Sequence, residues 1–509
     1  VSGREIDTSE VPTQGGEWQT KHLIYTHGFG TVLSPANEVE PDGSPILSIR
    51  DVPPVSDWGN VEITEPRIYY GERTDTYALV NATGLDEFDY GRGDNNAYYR
   101  YEYDGGIGLG SSWKKLISWF YTGDFNLLVS DYVGEESRIL LNRNIHQRVR
   151  KIAPFLRYDS NAQFFIDDEG GLNYLLNGIT NTSNYPYSYS DGKAPGYLND
   201  SVKAFVEANT GTVRFYPIEE DPLVKTYSNI YPNLFVEDEM PDGYRDHIVY
   251  PPDLFSTQME IFRRYHMTDH RTFYQQEDLW TFATEIYHGN VERVEAYNIL
   301  YDTTGIEGFE DHEEEFMLVK PFTPEGKNNM IAWVGIGQDG QNYGKKLVLN
   351  FPKGEFMRGP MQVESIIDQN TDISEQFSLW GQRGSSVLRG NLLVLPVKQD
   401  ILYIEPVYLS ATGIPFPQLR RVVAVYKDTA VMENSLERSI RGVLGGPAGP
   451  TPPGPGDNQA PSELVDLIRQ YLQLREEYNQ LIREGEYAEA GSIREEMEII
   501  AENMRIYVP

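Results

Sequence analysis

Apolar positions along this chain follow two periods, and the change between them outlines its elements. Short apolar runs bounded by Gly, Pro or Asp recur before residue 443: Val387-Leu388, Leu392–Leu395, Ile401–Ile404 and Val422–Tyr426. Runs of this kind, rich in β-branched and aromatic residues, predict strands. Arg67–Tyr70 and Tyr77–Val80 read the same way nearer the start. Asn209-Thr210-Gly211-Thr212, between Val202–Val206 and Val213–Tyr216, suits a hairpin turn. Spacing of three and four residues takes over at Glu135–Ile152, through Ile139, Leu140, Ile145, Val149 and Ile152, and again at Leu254–Tyr265. Both segments predict helices. A longer stripe through Leu464, Leu467, Ile468, Tyr471, Leu474 and Tyr478 predicts two antiparallel helices joined at Arg483–Glu486.

The class expected is α+β, multi-domain and rich in antiparallel sheet, with several inserted helices and a C-terminal helical hairpin. The boundaries read as a β-rich region over 1–105, a central α+β region over 106–290 and a second β-rich region over 291–443. A Pro/Gly linker follows over 444–461, where proline cannot donate to a ladder, and then the hairpin over 462–509 with Ser462 as N-cap. That hairpin suits packing on its own body, or equally a homo-oligomer or a protein of the cell envelope.

With 509 residues, the chain can bury several cores of ~150 residues each without cross-links. Lys plus Arg count 43 against 77 for Asp plus Glu, a formal net charge of -34. Nonspecific nucleic-acid binding is excluded on that ground. Flat docking on anionic lipid through net charge is disfavoured too, whereas divalent cations and basic partners are attracted. The absence of cysteine removes disulfides, thiolate nucleophiles and Cys-rich zinc sites. No apolar run approaches the ~20 residues of a membrane helix. The opening Val1-Ser2-Gly3-Arg4-Glu5 reads as an internal cut, so any anchor or export signal is expected outside this stretch.

Candidate chemistry is sparse. His27, in Tyr25-Thr26-His27-Gly28-Phe29-Gly30, has the flanking glycines of an exposed general base or of a histidine bonded in a tight turn. No Gly-x-Ser-x-Gly elbow accompanies it. His266 and His270 are spaced to share a helical face, as zinc sites need, yet the glutamate of a metalloprotease helix is missing. Two acidic clusters have the oxygens calcium wants, though no cofactor is specified by the sequence: Asp86, Asp89 and Asp94, and a second through Asp302, Glu310 and Glu313. Glu307 stands where a twelve-residue calcium loop requires glycine, and a solvated acidic surface explains either cluster as well. Gly105–Gly110 has neither phosphate-loop spacing nor a βαβ context and reads as a connection. Arg138, Arg143, Arg148, Arg150, Lys151 and Arg157 form one basic island, suited to an anionic polymer or lipid headgroup, or to pairing with nearby acids inside the fold. The 35 tyrosines serve sugar or peptide surfaces and antiparallel sheets alike.

Several ordered stretches together resemble the uncharacterised protein family 0182. They are Trp18–Gly30 with Ser34–Glu38, Pro66–Glu72, Ser137–Leu140 with Arg143–Ile145, Ile152–Leu156, Tyr265–Asp269, Asn329–Trp333, Gly359–Glu364 and Tyr403–Pro406. The resemblance implies a bacterial multi-pass membrane protein with about seven N-terminal helices preceding this domain, an odd number that puts the domain outside the cytoplasm. Its partners would be those helices, and the family supplies no catalytic residues to carry over. The expected function is binding or assembly at the envelope without catalysis. The alternatives are a metal-assisted envelope hydrolase using His27 or His266, and a ligand-sensing or gating domain for the transmembrane helices.

Overall fold

The structure is a computed structural model that describes residues 1–7, 17–36, 38–40, 42–58, 61–93, 95–188, 195–287, 289–309, 314–338, 340–352, 354, 356–381, 385–398, 400–411 and 417–445. Val1–Ser439 forms one compact unit, and a second begins at Ile440. The hairpin expected over 462–509 and nearly all of its linker lie outside the described residues.

Three five-stranded antiparallel sheets follow one another along the first unit. The central sheet holds Arg157–Tyr158, Gln163–Ile166, Leu172–Thr182, Tyr197–Glu207 and Val213–Pro217. The middle sheet holds Trp280–Phe282, Tyr297–Asp302, Glu314–Pro324, Ala332–Gly337 and Lys346–Asn350. The third holds Ser385–Arg389, Leu393–Val397, Asp400–Ala411, Gln418–Tyr426 and Thr429–Glu433. The fold is thus α+β and dominated by antiparallel pairing. The two longest central strands are buried nearly end to end because other elements cover both faces.

The hairpin at Asn209–Thr212 forms as its sequence predicts, joining Tyr197–Glu207 to Val213–Pro217. Gly211 takes φ 70°, and a Cβ there would lie 2.5 Å from the Tyr70 ring, so glycine is required twice over. The expected helix over Glu135–Ile152 is half wrong. Arg138–Leu140 is a strand between Ile107–Gly108 and Ala78–Val80, and the helix begins only at Ile145. The apolar pair Ile139-Leu140 fits a strand buried on both faces, and Asn142 at φ 51° separates it from the helix. Asn144 then caps that helix by accepting the Gln147 amide at 3.1 Å.

Helix Pro252–Tyr265 does appear where its apolar spacing places it. It packs Leu254, Phe255 and Met259 into a core shared by Ile179 of the central sheet and Phe322 of the middle sheet. A second core under the central sheet gathers Tyr69, Tyr70, Val149, Leu176 and Phe215, and a third around Trp333 joins the middle and third sheets.

Candidate functional site

His27 lies one residue before the short strand Gly28–Phe29, which pairs with Arg67–Ile68. A Cβ on Gly28 would sit 2.2 Å from the Arg4 carbonyl oxygen, so the motif's glycine lets the first strand cross. The imidazole is fully buried, with Nε2 3.1 Å from Asp89 Oδ1 and Nδ1 2.9 Å from Thr26 Oγ1. Arg67 forks onto Asp89 with two bonds of 2.9 Å and lies 3.5 Å over the Tyr99 ring. The Thr26 and Tyr69 hydroxyls both donate to Glu87. Burial alone would raise the Asp89 carboxyl, but hydrogen bonds from His27 and Arg67 outweigh it and lower its pKa. Arg143 completes the knot from beneath, donating to the carbonyls of Tyr69, Thr76 and Thr26. Burial lowers that guanidinium to about 10, so it remains a cation at neutral pH. Both ring nitrogens of His27 are engaged, and its side chain has no solvent exposure. The arrangement can fasten the first strands to the ribbon Glu87–Tyr99; it offers no reacting atom to a substrate.

The helical face expected for His266 and His270 does not form. His266 caps the end of helix Pro252–Tyr265, while Asp269 starts a new helix by accepting the amides of Arg271 and Thr272. His270 is thereby turned out to solvent, with its side chain 88% exposed. His266 stacks on Trp280 at 3.7 Å between ring centres, with Nε2 3.8 Å from Asp278. Of the first acidic cluster, Asp86 is exposed 3.7 Å from Arg100 and Asp89 points inward to Arg67. Asp94 lies outside the described residues. Of the second, Asp302 accepts the Thr304 amide at 2.9 Å, and Glu310 and Glu313 lie outside the described residues. Among the described residues no group of three or more His, Asp or Glu side chains converges to hold a metal. The glycine run also has the polarity opposite to a phosphate cradle: the carbonyls of Asp104, Gly105 and Gly106 converge on the Arg138 guanidinium.

Two buried ionic clusters were not anticipated. In the first, Lys203 Nζ meets both Asp200 oxygens at 3.0 and 2.9 Å, Asn177 Oδ1 at 2.6 Å and the Tyr343 hydroxyl at 2.7 Å. On a regular strand Asp200 and Lys203 would face opposite sides. The irregularity opposite Gly178 and Ile179, which leaves Ser201 without a partner residue, turns them to the same side. Asn177 also donates to Asp159 Oδ2 at 3.0 Å, whereas Asp159 Oδ1 has no partner. Burial, helped by Asp253, raises Asp159 to about 7 against the pull of Asn177 and Lys203.

That shift gives a pH prediction. The folded state keeps the Asp159 proton up to about 7, while the unfolded chain releases it near 3.8. Native protein binds more protons between those values, so this group's contribution to stability is lost as pH rises through them. Asp159→Asn holds no titrating proton. Its stability relative to wild type is expected to grow by roughly 2–4 kcal/mol between about pH 4 and pH 8, read from urea midpoints at the two ends. A constant difference would show that Asp159 ionises normally.

In the second cluster Arg389 bonds Glu405, Glu364 and Asp368, with 2.7 Å to Glu405 Oε2 and 2.8 Å to Asp368. Glu364 and Glu405 are essentially unexposed. Burial, then the neighbouring Glu405, raises Glu364 to about 8, and burial raises Glu405 as well.

Open concave surface is found beside the edge strand Val213–Pro217. One cavity of about 800 Å³ is lined by Tyr216, Tyr231, Phe235, Met240, Glu239 and Arg245. A neighbour of about 510 Å³ shares Tyr216 and adds Asp167, Glu207, Arg214 and Tyr244. No histidine lines either, and the hydroxyl of Ser228 in the first is turned back to the Val224 carbonyl. Aromatic faces with carboxylates and arginines can bind a polar ligand, and no nucleophile–base pair faces it.

Comparison with known proteins gives one consistent result. The model of the Uncharacterised protein family (UPF0182) matches residues 1–380. A UPF0182 protein of Desulforamulus reducens is 40% identical over 506 residues, covering 96% of this chain and 54% of that protein. One of Trichodesmium erythraeum is 41% identical, covering 87% and 50%, and one of Caldicellulosiruptor saccharolyticus is 38% identical, covering 99% and 56%. The chain therefore spans about half the length of the curated relatives it matches. No solved structure matches.

Proposed function

The chain belongs to the Uncharacterised protein family (UPF0182), and from that premise we propose that it is the extracytoplasmic part of a bacterial membrane protein, working by binding or assembly rather than catalysis. The observation that carries the noncatalytic half is the enclosure of His27. The best candidate base is fully buried with both ring nitrogens bonded, while the open hollows around Tyr216 present binding surface alone. The location rests on the motif series and on the relatives' extra length. No helix of the described residues is long and apolar enough to cross a membrane, so on this reading the spanning helices belong to the half of the relatives not covered here. Those helices are the first partner, and the segment 462–509 serves a second copy or another envelope protein.

The lack of cysteine makes the location directly testable. Tyr274 is 88% exposed, so Tyr274→Cys adds a surface thiol to this cysteine-free chain within the full-length protein, whose unsubstituted form gives the labelling baseline. A membrane-impermeant maleimide is expected to label it in intact spheroplasts as fully as after lysis. Labelling only after lysis would place the domain in the cytoplasm.

A further inference from the structure

Helix Ser112–Thr122 is built inside out. Trp113, Leu116, Ile117 and Phe120, spaced by three and four residues, face solvent, with Trp113 67% and Phe120 85% exposed. The face turned inward carries Lys115, Ser118, Trp119 and Thr122, with Ser118 buried and Thr122 bonded to the Ser118 carbonyl at 2.8 Å. A helix selected only for folding in water would show the reverse order. The apolar face continues into the next turn of helix, where Phe125 and Val129 are 59% and 58% exposed. One exposed apolar side chain is ordinary, but four on one helical face with two more in the next turn mark a contact surface.

Charge says what it contacts. Of the two readings of the basic island, pairing with acids is not found: among the described residues none of Arg138, Arg143, Arg148, Arg150, Lys151 and Arg157 lies within ion-pair distance of a carboxylate. Arg138 and Arg148 instead donate to main-chain carbonyls, and Lys151 to the Tyr121 hydroxyl and Asn142, so their charge is hydrogen-bonded but not neutralised. Lys151 thereby places part of the island against the end of the exposed helix, which adds the exposed Lys114 of its own, while Lys115 turns inward to the Val133 carbonyl. The nearest acids in sequence, Asp124, Asp131, Glu135 and Glu136, neutralise none of these cations; Glu136 lies 4.0 Å from Arg100 instead. Exposed aromatic residues beside unpaired lysine match the boundary between anionic headgroups and acyl chains.

We propose that helix Ser112–Thr122 and the turn that follows form a docking surface for an anionic lipid bilayer, with the aromatic face inserted at headgroup depth and the exposed cations Lys114, Arg150 and Lys151 on the phosphates. The net charge of -34 disfavours any other approach, so the acidic remainder of the surface turns this face toward the membrane. The proposal rests on the reading that the domain works beside a membrane, but not on which side.

The test is flotation of the purified chain with phosphatidylglycerol–phosphatidylcholine vesicles and with phosphatidylcholine alone. Wild type is expected to float with the anionic vesicles and to be released by about 0.5 M salt. Trp113→Glu with Phe120→Glu is expected to weaken binding at least about tenfold, while an unchanged melting temperature shows an intact fold. Arg150→Gln with Lys151→Gln is expected to remove much of the preference for anionic lipid. Equal flotation of wild type and the glutamate variant overturns the proposal, as does no flotation at all. A wild-type dimer that the glutamate substitutions dissociate, without vesicle binding, assigns the face to a second copy instead. Failed flotation leaves the maleimide result untouched, and failed surface labelling leaves this face a membrane contact on the inner side.

Discussion

Replacing Arg389 by methionine is expected to destabilise the first unit by roughly 3–5 kcal/mol, seen as a lower urea midpoint with an unchanged slope. Methionine keeps most of the aliphatic stem and removes the charge. Glu405, fully buried, and Glu364, 1% exposed, would then share their enclosure with no cation. Burial, with repulsion from Glu405 added to it, already keeps a proton on Glu364, whose pKa is about 8, so at neutral pH the cluster resembles one carboxylate and one carboxylic acid around a guanidinium. Glu364→Gln, which mimics that protonated form, is therefore expected to change stability at pH 7 by less than about 1 kcal/mol. Arg389→Met with both glutamates made glutamine should recover most of the loss, because the damage comes from stranded charge rather than missing attraction. A single-variant loss below about 1 kcal/mol would mean that water reaches the glutamates and the cluster is not dry.

The second large effect is expected at Lys203. Its ammonium is wholly buried, and burial lowers its pKa, yet it is held by Asp200, Asn177 and the Tyr343 hydroxyl. Lys203→Met strands Asp200 with the Tyr343 hydroxyl as its remaining donor and removes the nearest cation from Asp159. A loss of roughly 3–5 kcal/mol is expected, again in the urea midpoint. Because Tyr343 belongs to the middle sheet's approach and Lys203 to the central sheet, the variant should also loosen the join between them. Hydrogen exchange of amides in Ala332–Gly337 reports that loosening, and protection equal to wild type would confine the role of Lys203 to its own sheet.

Much of the fold is written locally. Strand runs such as Val422–Tyr426, the turn at Gly211 and the apolar face of Pro252–Tyr265 each depend on neighbours in sequence, and each is found where those neighbours place it. The segment around Arg138–Leu140 misleads because two adjacent apolar residues fit either period, and only pairing with Ala78–Val80 decides. The site was less legible. His27 can be picked out from its glycines, but its burial depends on Glu87 and Asp89, brought across on a ribbon some sixty residues away. The Lys203 cluster depends on a β-bulge that no side-chain pattern announces. The motif residues Glu364 and Glu405 are recognisable in sequence, yet nothing there says that they meet on Arg389. The outward face of helix Ser112–Thr122 is not legible in sequence either, because its three- and four-residue apolar spacing fits a buried face equally well.

Each of the three large sheets is assembled from one uninterrupted length of chain: residues 157–217, then 280–350, then 385–433. Contacts within a sheet are therefore close in sequence, and low separation speeds pairing. As the chain emerges from a ribosome or a translocon, each sheet can close before the next has left the tunnel. Its edges are then exposed only briefly to misfolding partners. The earliest segments behave differently, because Ala78–Val80 must wait for Arg138–Leu140 before its own sheet exists. The longest wait between paired strands on this account falls at the beginning of the chain, in the part carrying the outward aromatic helix.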